Sequence, residues 1–172
     1  ERICKPKTPL CEQCPLQTNC LAFTQGTPNS LPKRQAKPPV PHYTVTAGVI
    51  TQGQSVLIAQ RPPNGLLGGL WEFPGGKLEP EDSSLEDCLK REIREELGLE
   101  IVVENDFGVY RHAYTHFRIT LHAFLCTLFP GQSTDNLSHV RWVLPAQLDE
   151  FAMGKVDRQI ARRLQQSTLS IL

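Results

Sequence analysis

The stretch from Gly75 to Leu99, GGKLEPEDSSLEDCLKREIREELGL, constrains the fold more than any other part of the chain. Leu85, Leu89, Ile93 and Leu97 recur at every fourth position, the period that lines apolar side chains along one face of an α-helix. Ser83 and Glu86 have the spacing of a capping box at its start, and Gly98 is a natural stop. With Leu85, Leu89 and Ile93 turned to a core, Glu92, Glu95 and Glu96 share another face. Clustered carboxylates repel one another, and a hard divalent cation offsets that repulsion. Mg2+ held by a few carboxylates and substrate phosphates is the usual arrangement. The competing reading is a solvated helix ion-paired to Lys90, Arg91 and Arg94.

Around this helix the sequence favours strands. Tyr43 to Ile50 and Ser55 to Gln60 are short runs with β-branched residues on either side of a glycine turn, the pattern of a hairpin. Leu99 to Glu104, Phe107 to Ala113, His116 to Phe129 and His139 to Leu144 read as further strands, and Val156 to Gln166 as a closing amphipathic helix. The order implies a mixed α/β (α+β) fold, without internal repeats.

Composition names no partner. Of 172 residues 40% are apolar and 21% charged, and 18 basic residues balance 18 acidic ones, as in an ordinary soluble globular protein. The charge is uneven, however. Up to His42, the basic Arg2, Lys5, Lys7, Lys33, Arg34 and Lys37 face only Glu1 and Glu12. Such an arm suits either a phosphate backbone or a plain solvated linker. No apolar stretch approaches the roughly 20 residues of a membrane span, and the first residues are unlike a signal peptide. The expectation is an intracellular protein without a membrane partner. Starting at Glu1 with Cys4 close behind, the chain reads as a fragment of something longer.

Three segments follow: a cysteine loop over 1–20, a Pro-rich linker over 21–42 that reads as extended, and a globular domain over 43–172. Cys4, Cys11, Cys14 and Cys20 have the spacing C-x6-C-x2-C-x5-C, able to wrap four thiolates around one cubane cluster. A structural zinc site is the alternative, although its usual signature is two paired short spacings and only Cys11 and Cys14 are so paired. Cys88, in the helix, and Cys126, in the apolar run HAFLCTLF, read as core residues.

The cysteine spacing resembles the [4Fe-4S] loop of helix-hairpin-helix DNA glycosylases. The Glu-rich run resembles the Nudix box, G-x5-E-x7-R-E-U-x-E-E-x-G-U with U aliphatic. Gly76, Arg91-Glu92-Ile93, Glu95-Glu96 and Gly98-Leu99 match it, whereas Asp82 stands for the first glutamate and the spacer from Asp82 to Arg91 is eight residues instead of seven. The extra residue is expected to shift the loop against the helix. RPPNGLLGGLWEFPGG (Arg61 to Gly76) and RHAYTHFRITLHAF (Arg111 to Phe124) resemble the carboxy-terminal domain of MutY-type adenine DNA glycosylases. There an aromatic-hydroxyl-histidine motif reads 8-oxoguanine, and Tyr114-Thr115-His116 occupies its place, with Tyr for the more usual Phe and Thr for Ser.

The resemblance implies a Nudix-type sandwich of a mixed β-sheet between helices, preceded by a [4Fe-4S] loop. The protein would be a monomer on double-stranded DNA containing 8-oxoguanine:adenine, associated with the nucleoid if bacterial. Thr115 would accept the N–H that 8-oxoguanine gains at its imidazole edge. The lobe that excises adenine would lie before Glu1. The second reading is a Mg2+-dependent pyrophosphohydrolase of the MutT type acting on 8-oxo-dGTP, with Glu92, Glu95 and Glu96 on metal, Glu95 and Glu96 catalytic, and Asp157 at the oxidised base. For Asp157 a plain helix N-terminal acid is the alternative. A third reading is a purely structural protein whose Pro-rich linker docks a partner.

Overall fold

The computed structural model describes residues 2–33 and 38–169; Glu1, Arg34 and Lys37 of the charge pattern above, and the ends of the linker's centre and of the domain that carry 34–37 and 170–172, lie outside the described residues. The chain divides into two compact units, Glu1–Pro39 and Val40–Leu172.

In the first unit, short 3-10 turns at Cys11–Gln13, Gln17–Asn19 and Pro28–Ser30 flank a single-turn helix, α1 (Leu21–Thr24). The start of the linker is therefore not extended. The Thr24 hydroxyl donates to the Cys20 carbonyl, and the Thr27 N–H caps Ala22. No described residue of this unit is buried.

The second unit is built on β1 (His42–Gln52), β2 (Ser55–Gln60), β3 (Trp71–Glu72), β4 (Ile101–Ala113), β5 (Arg118–Leu128) and β6 (Val140–Val143). Helices α2 (Leu85–Leu97) and α3 (Lys155–Leu169) complete it. The strand order is β3-β2-β1-β5-β4, with β6 on β2. The β1–β5 pairing is parallel from His42↔Arg118 to Thr51↔Thr127, and all other pairings are antiparallel. One face of this mixed sheet packs Leu89, Ile93 and Leu97 of α2 on Ile50, Phe124 and Cys126. The other packs Val156, Ile160 and Leu164 of α3 on Val49, Ala123 and Leu121. Burying a Leu or Ile side chain contributes about 1.5–3 kcal/mol, so packing holds α2 more than helix propensity does. Cys88 and Cys126 are fully buried in these layers.

Local details differ from the pattern reading. The cap of α2 is one residue later than Ser83: the Ser84 hydroxyl accepts the Asp87 N–H at 3.0 Å, and Gly98 ends the helix at φ 67°. Leu99–Glu104 and Phe107–Ala113 are one strand, β4, because bulges at Val103/Asn105 and Asp106/Gly108 absorb the polar interruption. His116 belongs to a turn, and β5 begins at Arg118. The two-residue β3 carries no periodic signal.

Pro74 to Leu78 runs along β1 as a strap, with Gly48 N–H to Pro74 O at 2.8 Å, Thr46 N–H to Gly76 O at 2.8 Å and Leu78 N–H to Thr44 O at 3.0 Å. The approach demands glycine at Gly75, whose φ is 152° and where a Cβ would fall 2.3 Å from the Thr46 carbonyl oxygen.

Candidate functional site

Arg91 organises the acidic helix. Its Nε and Nη2 donate to the two carboxylate oxygens of Asp82, each at 2.8 Å, and Nη1 donates to Glu92 at 3.0 Å and Glu95 at 3.1 Å. Nη2 also donates to the Lys77 carbonyl, which ties the helix to the strap. Asp82 is nearly enclosed and also accepts the Glu79 N–H at 2.8 Å. The guanidinium and this N–H hold its carboxyl well below the usual carboxylate range. Across the eight-residue spacer, which includes the Ser84 cap, Asp82 and Arg91 meet directly.

The three glutamates lie near one another on α2 but differ in exposure and in partners. Glu92 packs onto Gly76, where a Cβ would lie 2.2 Å from its carboxyl carbon, and with Glu96 it lines a cleft of about 410 Å3. Glu95 is 60% exposed, and its carboxylate accepts from the same Arg91 Nη1 as Glu92 does. Among the described residues no three His, Cys, Asp or Glu side chains stand close enough to hold one metal ion. The donor chemistry suits Mg2+, and Glu92 and Glu95 already meet at the Arg91 guanidinium.

The cleft draws on every layer of the domain. Arg61 and Glu72 come from the ends of β2 and β3, Tyr114 and Phe117 from the β4–β5 turn, and Asp157 from the first turn of α3. Arg61 forms an ion pair with Glu72 and donates through Nε to Leu66 O at 2.9 Å. Burial, with Asp157 and Glu96 nearby, pushes the Glu72 carboxyl upward against the pull of Arg61. Asp157 accepts the Phe73 N–H at 3.2 Å, and burial raises it to about 6 despite that bond. Glu96 is raised by desolvation and then by Glu92, while Arg61 opposes both. Arg61 is thus the internal counter-ion of this acidic pocket. Neither Arg61 nor Glu72 stands out in the sequence, because they meet only through the β2–β3 pairing of Ala59 with Glu72.

Tyr114, Thr115 and His116 are not held alike. The Tyr114 N–H donates to Phe117 O at 2.8 Å, closing a tight turn, and the two rings stack with centroids 4.6 Å apart. Tyr114 lines the cleft, while Thr115 and His116 stand exposed at the tip.

In the first unit Cys4, Cys11, Cys14 and Cys20 all line one cavity of about 470 Å3, together with Lys5 but not Lys7. Partial burial, then the proximity of Cys20, Cys4 and Cys14, pushes the Cys11 thiol up. The thiols ring a space and do not converge on a point.

Residues 45–163 match the NUDIX domain family. The chain is 24% identical to the mouse adenine DNA glycosylase over 93% of its own length, and spans 40% of that protein. It is 38% identical to the 8-oxo-dGTP diphosphatase of Proteus vulgaris over 56% of the chain and 87% of the relative. Among solved structures, the C-terminal domain of mouse MUTYH, in a complex with human PCNA, superposes with a TM-score of 0.56 at 23% identity, covering 74% of this chain and 88% of that one. At that identity the superposition speaks for the fold alone.

Because the folded-state pKa of Asp157 lies above the unfolded value of about 4, the native state holds a proton that the unfolded state has released. The contribution of Asp157 to stability therefore falls as pH rises from about 4 to the folded value near 6, and this one contribution is constant above it. Asp157→Asn, which keeps an acceptor for Phe73, should remove that limb and gain up to about 3 kcal/mol relative to the parent between pH 4 and 7. Thermal unfolding at four pH values checks this, and parallel curves for the two proteins would refute it.

Proposed function

The chain belongs to the NUDIX domain family, and from that premise we propose that it is the lesion-reading part of an adenine DNA glycosylase in base excision repair. It recognises 8-oxoguanine opposite adenine in duplex DNA while a lobe outside these 172 residues removes the adenine. The observation that carries this reading is the extent of the likeness. A match to the glycosylase over 93% of the chain has to run through most of the segment before Val45, whereas the diphosphatase match spans 56%. The exposed Thr115 and His116, at the tip of a turn braced by stacked Tyr114 and Phe117, support it: a hydroxyl there is free to accept from a base edge.

The amino-terminal unit carries a [4Fe-4S] cluster on Cys4, Cys11, Cys14 and Cys20 in this reading. A unit with no buried residue among those described has no hydrophobic core to hold its turns. Four thiols around one cavity suit a cubane, in which each thiolate ligates its own iron, better than a single zinc. The cluster would brace the loop that presents Lys5 and Lys7.

The hydrolase reading has its own support, since Glu92 and Glu96 line the same cleft as Tyr114 and Asp157. Against it, Arg91 already neutralises Glu92 and Glu95, and Arg61 neutralises Glu72.

Thr115→Val removes one hydroxyl from an exposed site. It should reduce the preference for 8-oxoguanine:adenine over guanine:adenine duplexes by roughly 1–3 kcal/mol in competition binding. An unchanged ratio would end the role of Thr115. Anaerobically purified protein should contain about four iron atoms per chain with visible absorption, lost in Cys14→Ser; one zinc and no iron would replace the cluster. With Mg2+, 8-oxo-dGTP turnover should not exceed that of Glu95→Gln and Glu96→Gln variants. Turnover abolished by those substitutions would instead establish the hydrolase.

A further inference from the structure

Helix α2 covers only part of its sheet face. Its contacts stop near Thr46, whose hydroxyl lies 3.5 Å from the Cys88 sulfur. Beyond that point the same face continues toward the β4–β5 turn through exposed residues of the second unit. The pairings His42↔Arg118, Thr44↔Thr120, Arg111↔Thr120 and Val109↔His122 put these side chains on one side of three adjacent strands. His42 Nε2 lies 2.9 Å from Thr120 Oγ1 across that face. His42, Arg111 and Arg118 are exposed, His122 is half-buried, and Val109 is 55% exposed.

The charge on this face is one-sided. Residues 42–46, 109–113 and 118–122 contain no Asp or Glu. Along these paired strands Asp106 stands opposite Phe124, one step past the Val109–His122 pair. On the far side of β1 the strap carries Lys77, already paired with Glu79. Arg61, Arg91, Arg94 and Arg158 each hold a carboxylate, but among the described residues Arg111 and Arg118 hold none. Two guanidiniums without a carboxylate partner among the described residues, on a hydroxyl-lined sheet surface, suit a polyanion.

We propose that this open sheet face, centred on Arg111 and Arg118 with His42, Thr120 and His122, seats the phosphate backbone of duplex DNA. This rests on the lesion-reading function above, and it separates two tasks on one hairpin. The face supplies sequence-independent phosphate contacts that fix register, and the tip supplies the base contact. Main-chain ladders on both sides of β5 fix the backbone positions of Arg111 and Arg118, so only their side chains have to be ordered on binding.

The test is fluorescence anisotropy of labelled duplexes, with and without 8-oxoguanine:adenine, titrated with the 172-residue chain over a series of salt concentrations. In the Arg111→Gln/Arg118→Gln double variant, affinity should fall about tenfold for both duplexes at moderate salt. The slope of log K against log salt should become shallower by about two units, one per lost phosphate contact. Preference for the lesion should be retained. An unchanged salt slope in the double variant, with thermal unfolding like the parent's, would overturn the proposal, as would failure of the parent chain to bind either duplex. Loss of affinity in the arginine variant without any lesion preference in the parent would instead keep this surface and discard the lesion reader, so the two can fail separately.

Discussion

The parallel pairing of β1 with β5 is the constraint on which the rest of the second unit depends. Parallel neighbours cannot be joined by a tight turn, so the intervening chain has to leave the sheet and return. That excursion carries β2, β3, the strap, α2 and β4, and it deposits α2 on one face. With β5 on one side of β1, the strap can add to the other side, where Thr46 bonds Gly76 and Gly48 bonds Pro74. The same ladder fixes where β5 begins, at Arg118 beside His42, and therefore where the β4–β5 turn projects. The cleft, the turn tip and the open face are consequences of one register.

Within that frame Arg91 does for the acidic helix what a metal would otherwise have to do. Three carboxylates and a carbonyl converge on one guanidinium that cannot lose its charge. Asp82 meets it in bidentate fashion, through both carboxylate oxygens. Glu92 is then pinned over Gly76, so helix, turn and strap form one rigid corner at the cleft wall. Across the cleft Arg61 repeats the arrangement on a smaller scale with Glu72, and its reach to Asp157 and Glu96 moderates the cost of enclosing three acids.

The parts of the fold legible in the sequence are those with a strong period or a strong stop. The leucine repeat of α2, Gly98 and the glycine turn after β1 identify the helix, its end and the first hairpin without reference to anything distant. The cap moved from Ser83 to Ser84 because two adjacent serines present the same chemistry, and only the seating of Leu85 and Leu89 in the core chooses between them. β4 looked broken because Asn105 and Asp106 are poor strand residues, yet pairing with β5 overrides local preference through two bulges. Three glutamates at helical spacing mark an acidic face, but the partners that meet it, Arg91 at Glu92 and Glu95 and Gly76 at Glu92, do not follow from helical geometry. Arg61 and Glu72 were invisible as a pair for the same reason. The short α1 inside a Pro-rich segment was masked by composition.

The division of labour at the β4–β5 turn follows from stereochemistry more than from the identity of the motif. With Tyr114 N–H bonded to Phe117 O, the two flanking rings stack against each other and toward the cleft, which forces the two residues between them outward. A ligand meeting Thr115 and His116 is therefore outside the cleft, and a ligand in the cleft meets Tyr114, Asp157 and Glu96 instead. Reading a base at the tip asks nothing of the carboxylates and needs no metal. The acidic helix then has a sufficient structural reason to stay as it is. Asp82, Arg91 and Glu92 hold the strap on β1, the strap keeps β1 in place beside β5, and β5 carries the turn.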